Sequence, residues 1–125
     1  MILRVARHTN NLKHIKDFYI KVLGFELLGS FENHSNYNGI FLGKHNLNWH
    51  LEFTQSEEEV KHSFDEDDCI VFYPETIQEY NSLITSIKNN NINFIKPKNP
   101  YWVENGKMLF DPDGYRIIIS NLKIK

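Results

Sequence analysis

The feature that most constrains this fold is that one order of elements occurs twice along the 125 residues. Residues 2–8, "ILRVARH", alternate at strand period: Leu3 and Val5 on one face, Arg4, Ala6 and His8 on the other. A helical stripe follows in Leu12, Ile15, Phe18, Tyr19 and Val22, with Asn10 or Asn11 to cap its start and Gly24 to stop it. Three strand-like pieces come next, near 25–31, 39–43 and 48–54, separated by Gly and Asn.

The second half restates this order. "DCIVFY" at 68–73 reads as a strand that Pro74 ends. Thr76 with Glu79 three residues on gives a capping box for a helix whose apolar stripe is Ile77, Tyr80, Ile84 and Ile87. "INFI", "GKMLF" and "YRIIIS" supply three more strands, and the loop "KNPYWVENG" at 98–106 precedes the seventh strand. The reading is α+β: two βαβββ modules in tandem, at about 1–56 and 67–125, joined by an acidic linker at 57–66. The repeat is one of pattern more than of identity. Val5 and Val71 hold similar points of the two halves, as do Leu12 and Ile77. Each half is expected to form a curved mixed sheet with one helix on its outer face, and two such sheets side by side would enclose a cleft.

The totals exclude several roles. Net charge is -2, which gives no footprint for nucleic acid or an anionic membrane surface. No apolar run approaches the ~20 residues of a spanning helix. Arg4 and Arg7 stand where a signal peptide would need its apolar stretch. The one cysteine, Cys69, cannot form an internal disulfide, so a cytoplasmic location is expected. The linker "SEEEVKHSFDEDD" lacks the glycine and ligand spacing of a calcium loop and reads as a solvated connector. An aromatic fraction of 14 % suits both a core and a pocket wall.

Two stretches carry a resemblance over essentially the whole chain. "LKHIKDFYIKVLGFELLGSF" looks like the first helix and following strand of the vicinal oxygen chelate superfamily, which holds glyoxalases, bleomycin-resistance proteins and extradiol dioxygenases; "FDPDGYRIII" looks like its final hairpin. The hairpin also follows from local chemistry. Asp111 can accept a backbone N–H within the turn, Pro112 pre-sets its second residue, and Gly114 takes a conformation other residues resist.

The resemblance implies four metal-ligand positions facing the cleft, at Arg4, Glu52, Cys69 (or Asp68 after a one-residue slip) and Ile118. Only Glu52 is clearly of ligand type. Arg4 is a permanent cation and Ile118 has no donor atom. One thiolate with one carboxylate is an incomplete site for zinc or nonheme iron. No metal and no other cofactor is therefore expected. The alternative is a divalent metal at a displaced site made by His8, His50 and Glu52. Otherwise Arg4 and Glu52 are expected to pair with each other at the cleft floor, with His50 beside them.

The candidate ligand-binding set is Arg4, His8, His50, Glu52, Tyr73, Tyr101 and Trp102, with Ile118 as an apolar wall. Each has a plainer alternative: packing for Tyr73, a core or dimer-contact role for Trp102, a strand-end surface position for His8. His14, His34, His45 and His62 receive no role. Glu52 or His50 are the candidate acid–base groups if the chain is an enzyme, a question the residues leave open. The leading expectation is a metal-free binder of a small molecule, forming a homodimer as many members of the superfamily do. A metal-dependent or acid–base lyase, isomerase or dioxygenase is the alternative, and a domain with a vestigial cleft is a third class.

Overall fold

The computed structural model describes all residues from Met1 to Lys125. The chain divides into two compact units, Met1–Lys61 and His62–Lys125, each with its own sheet. The architecture is α+β, with seven strands in two sheets and three helices.

In the first unit β1 (Leu3–His8) leads to α1 (Leu12–Asp17), then to β2 (Glu26–His34), β3 (Tyr37–Gly43) and β4 (Trp49–Gln55). Asn11 caps α1 by accepting the His14 N–H at 3.1 Å. The Gln55 side chain secures the same end from β4: its Oε1 accepts the Leu12 N–H at 3.0 Å and its Nε2 donates to Asn10 O at 2.9 Å. Beyond Asp17 the helix widens into a π turn over Phe18–Val22, where Leu23 N–H reaches back to Phe18 O, and Gly24 at φ 74° ends it. This widened turn buries Phe18, Tyr19 and Val22 together, and Tyr19 packs against Phe53 of β4 at 5.1 Å between ring centroids.

The sheet order is β1-β4-β3-β2. Strands β1 and β4 run parallel, with Arg4 opposite His50, Ala6 opposite Glu52 and His8 opposite Thr54. Strands β3 and β4 run antiparallel, with Phe41 opposite Glu52 and Gly39 opposite Thr54. Alternation sends Ile40, Leu42, Leu51 and Phe53 to the buried face that meets α1. The other face receives Arg4, Ala6 and His8, then His50, Glu52 and Thr54, then Tyr37, Gly39 and Phe41. Leu3 and Val5, on the apolar face of β1, are exposed, because β1 is an edge strand and α1 covers mainly β3 and β4. Arg7 shares their face and lies over Phe53, with its guanidinium 5.1 Å from the ring centroid.

In the second unit β5 (Cys69–Phe72) is followed by α2 (Ile77–Asn89), α3 (Pro100–Asn105), β6 (Lys107–Phe110) and β7 (Arg116–Ile119), with sheet order β5-β7-β6. Thr76 caps α2 through the Glu79 N–H at 3.1 Å. Ile84 and Ile87 of its stripe are buried, but Ile77 in the first turn is 48 % exposed. Two expectations change here. "INFI" does not form a strand: Lys96, Pro97 and the following turn leave only one bridge, Ile95 to Met108. The expected loop at 98–106 contains α3, started by Asn99, whose side chain accepts the Tyr101 N–H, and by Pro100 at the first helical position.

The final hairpin follows the sequence logic. Asp111 is buried, and its Oδ1 accepts the N–H groups of Asp113 and Tyr115, each at 2.9 Å. Gly114 adopts φ 85°. The strand that leaves the turn buries Ile117, Ile118 and Ile119 completely or nearly so.

Candidate functional site

On the open face of the first sheet, a chain of contacts starts at Arg4. Its Nε donates to His50 Nε2 at 2.9 Å. A guanidinium can only donate, so His50 is neutral in this arrangement, with Nε2 as the acceptor and its proton on Nδ1. The guanidinium lies over the Phe41 ring at 4.7 Å from the centroid, and Phe41 meets His50 edge-on at 5.9 Å. Two side chains, His50 of β4 and Phe41 of β3, thus hold Arg4 of β1. Its Nη groups make no hydrogen bond, and Nη1 lies 3.9 Å from Glu52 Oε2.

That distance is the outer limit of an ion pair and too long for a hydrogen bond. The expected Arg4–Glu52 pairing is therefore loose, because the parallel register sets Arg4 opposite His50 and Ala6 opposite Glu52. Glu52 is the more sheltered partner: its side chain is 15 % exposed against 53 % for Arg4. The carboxylate accepts no hydrogen bond, and the small side chain of Ala6 leaves room beside it.

His8 forms a separate cluster on the same face. Its Nδ1 lies 2.8 Å from Thr54 Oγ1 and its Nε2 3.1 Å from Ser56 Oγ, with Tyr37 edge-on at 5.7 Å. Both ring nitrogens are thus occupied by hydroxyls. Phe31 extends the aromatic surface: its ring lies 5.9 Å from that of Phe41 and directly over Gly39, where a Cβ would come within 2.3 Å of it.

These positions do not form a chelate. Of the four positions that the resemblance assigns to metal ligands, Arg4 is a cation, Ile118 is 1 % exposed with no donor, and Cys69 is disfavoured as a thiolate. Burial pushes the Cys69 thiol up, and Asp67 and Asp68 add to the shift. The displaced set His8, His50 and Glu52 is not brought together either: His50 Nε2 is taken by Arg4 and His8 by Thr54 and Ser56. No group of three or more His, Cys, Asp or Glu side chains is placed to hold a metal ion.

The remaining candidates belong to the second unit. Tyr73 is exposed just after β5, with Lys123 Nζ 5.8 Å from its ring centroid. Tyr101 is exposed on α3 and meets Trp102 edge-on at 4.9 Å. Trp102 and Ile118 both close on Gly106, whose added Cβ would lie 3.3 Å from the indole and 2.4 Å from Ile118 Cγ2. Trp102 is partly buried and packs on Gly106, and Ile118, expected as an open apolar wall, is core. Phe41, Phe31, Tyr37 and Ser56 were not among the expected residues. Period-two reading of "YNGIFLG" puts Tyr37, Gly39 and Phe41 on one face; the antiparallel register with β4 makes it the face of Glu52.

Comparison with known proteins fits this geometry. Residues 3–54 match the YycE-like N-terminal domain and residues 67–121 the YycE-like C-terminal domain. The chain belongs to the YycE-like family. The YycE protein of Bacillus subtilis (strain 168) is 34 % identical over 97 % of this chain and 88 % of its own length. The crystal structure of a YycE protein of unknown function from Bacillus subtilis superposes with a TM-score of 0.82 over 96 % of this chain and 88 % of that one. More distant structures share the fold alone. The trypanothione-dependent glyoxalase I of Leishmania major has TM-score 0.74 at 21 % identity, covering 98 % of this chain and 87 % of that one. TnmS3, an antibiotic-binding protein from Streptomyces sp. CB03234, has TM-score 0.70 at 15 % identity, covering 97 % and 94 %. This YycE-like chain thus has the vicinal oxygen chelate scaffold. No helix in it is long and apolar enough to cross a membrane.

Proposed function

We propose that this YycE-like protein is a small-molecule-binding member of the vicinal oxygen chelate superfamily that holds its ligand on the open face of the first sheet, without a resident metal. The observation that carries this reading is the Arg4 guanidinium, held between His50 and Phe41, with its Nη groups unbonded beside a Glu52 carboxylate that accepts no hydrogen bond. A few polar groups left without a protein hydrogen-bond partner, set against an aromatic wall, are what orient a small ligand. TnmS3 shows that this scaffold can serve an antibiotic-binding protein.

The test is a fragment screen on the full chain by 1H–15N correlation spectra, with elemental analysis of the purified protein. Shifts should concentrate at Arg4, Phe41, His50 and Glu52, with well under one equivalent of zinc, nickel, iron or manganese. Phe41→Ala should weaken every hit. Silence at those four residues across a diverse set would overturn the reading, as would a stoichiometric metal that resists dialysis.

A second reading has one observation of its own. A sheltered carboxylate with no hydrogen bond is free to take a proton, so Glu52 can serve as a general base. Turnover of a bound ligand that Glu52→Gln abolishes, with binding retained, would favour this enzyme reading. The protein is further proposed to form a homodimer in the cytoplasm. Edge strand β1 leaves Ile2, Leu3 and Val5 exposed, and the single unpaired Cys69 suits a reducing compartment. A monomer mass by light scattering at high micromolar concentration would count against the dimer.

A further inference from the structure

We infer that the ligand presents a hydrogen-bond acceptor and a hydrogen-bond donor side by side on one planar edge, as a carboxamide or lactam does, and is not a simple anion; this rests on the binding function proposed above. Arg4 and Glu52 lack opposite halves of a hydrogen-bonding partner. The guanidinium has spent Nε on His50 and offers only its Nη groups. The carboxylate 3.9 Å away has acceptor capacity and no donor. An amide edge laid against both would place its carbonyl oxygen on Arg4 and its N–H on Glu52, completing two groups at once.

Charge excludes the alternatives. A bare carboxylate or phosphate drawn to Arg4 would bring negative charge against Glu52, which is sheltered and has only one cation near it. A bare cation drawn to Glu52 would meet Arg4 in the same way. Arg4 and Glu52 together are electrically neutral and dipolar, so the complementary ligand edge is neutral and dipolar too. His50 does not change this, because it accepts from Arg4 and is neutral in that role. The other group facing this point is Phe41, whose ring lies under the guanidinium. It offers a flat surface for the apolar part of the ligand, continued by Phe31.

Benzamide, benzoate and benzamidine test this directly, because they share one shape and differ in the donor–acceptor pattern and charge of one edge. Titrated into the full chain and followed at the amides of Arg4, Phe41, His50 and Glu52, benzamide should bind about five- to tenfold tighter than either charged analogue. Glu52→Gln removes the negative charge while keeping the shape, and should narrow the gap between benzamide and benzoate. If benzoate or benzamidine binds as tightly as benzamide in the unaltered protein, the inference falls. It falls too if none of the three perturbs these residues while other fragments do, and the binding function then stands. If no fragment of any chemistry perturbs them, the binding function itself fails.

Discussion

Arg4 and His50 face each other across one rung of the parallel β1–β4 ladder, and the Arg4 Nε–H is donated to His50 Nε2 at 2.9 Å. Glu52, the residue with the opposite charge, sits two rungs on, opposite Ala6, and only within ion-pair range. The half-exposed guanidinium is screened by water, so the charge pair contributes little. In a double-mutant cycle of Arg4→Met and Glu52→Gln, the coupling energy from urea denaturation should be below about 1 kcal/mol. A coupling of several kcal/mol would show that the two close into a tight pair in solution.

Gly106 is required for space. Its backbone is extended, but a Cβ would lie 2.4 Å from Ile118 Cγ2, and Ile118 is fully packed. Gly106→Ala should destabilise by about 1–3 kcal/mol. Ile118→Ala, which removes the crowding Cγ2, should therefore cost less in the Gly106→Ala background than in the unaltered protein, as measured by denaturant midpoint at constant slope.

The hairpin turn depends on one carboxylate. Asp111→Ala would leave the N–H groups of Asp113 and Tyr115 without their shared acceptor in a part-buried turn. The expected loss is about 1–3 kcal/mol. Asp111→Asn keeps an acceptor oxygen and should lose less. Equal losses for the two variants would assign the effect to charge instead of to the two hydrogen bonds.

The Cys69 thiol is pushed up by burial and, to a lesser degree, by Asp67 and Asp68. The folded chain therefore holds this proton more tightly than the unfolded chain. Its contribution to stability is whole below the unfolded thiol's pKa and is lost as pH rises through the folded value. At about pH 8.5, where a free thiol is half ionised, iodoacetamide should modify the folded protein more slowly than the urea-unfolded protein. Cys69→Ala should lack this part of the alkaline loss in stability. Rapid alkylation of the folded chain would contradict the assignment.

Local chemistry made much of this molecule legible from its residues. The caps at Asn11 and Thr76, the stop at Gly24 and the Asp111 turn each depend on a few neighbouring side chains. Period-two alternation also placed Arg4, His50 and Glu52 on one face. Register is a long-range property, and alternation could not show that Arg4 would sit opposite His50 instead of Glu52, or that Phe41 would lie beneath it. "INFI" has strand composition but secures only one bridge, at Ile95. The six-residue α3 is too short for periodicity, although Asn99 followed by Pro100 was a start signal in plain view. Ile77 matched the stripe of α2 but lies in the first turn, on the exposed side.

The π turn at Phe18–Val22 has a consequence for how this segment can change in length. A helix that widens there carries one residue more than α pitch requires. Deleting a residue within it would let the backbone tighten to α pitch, and the two flanks would keep nearly the same phase, because about five π residues turn about as far as four α residues. Ile15 on one side and Val22 on the other, both now buried, would both stay inward. Loss of a single codon is absorbed here, whereas in a regular helix it would rotate one flank by about 100° against the other. In a lineage of such chains this stretch is where the count can change while both ends keep their faces.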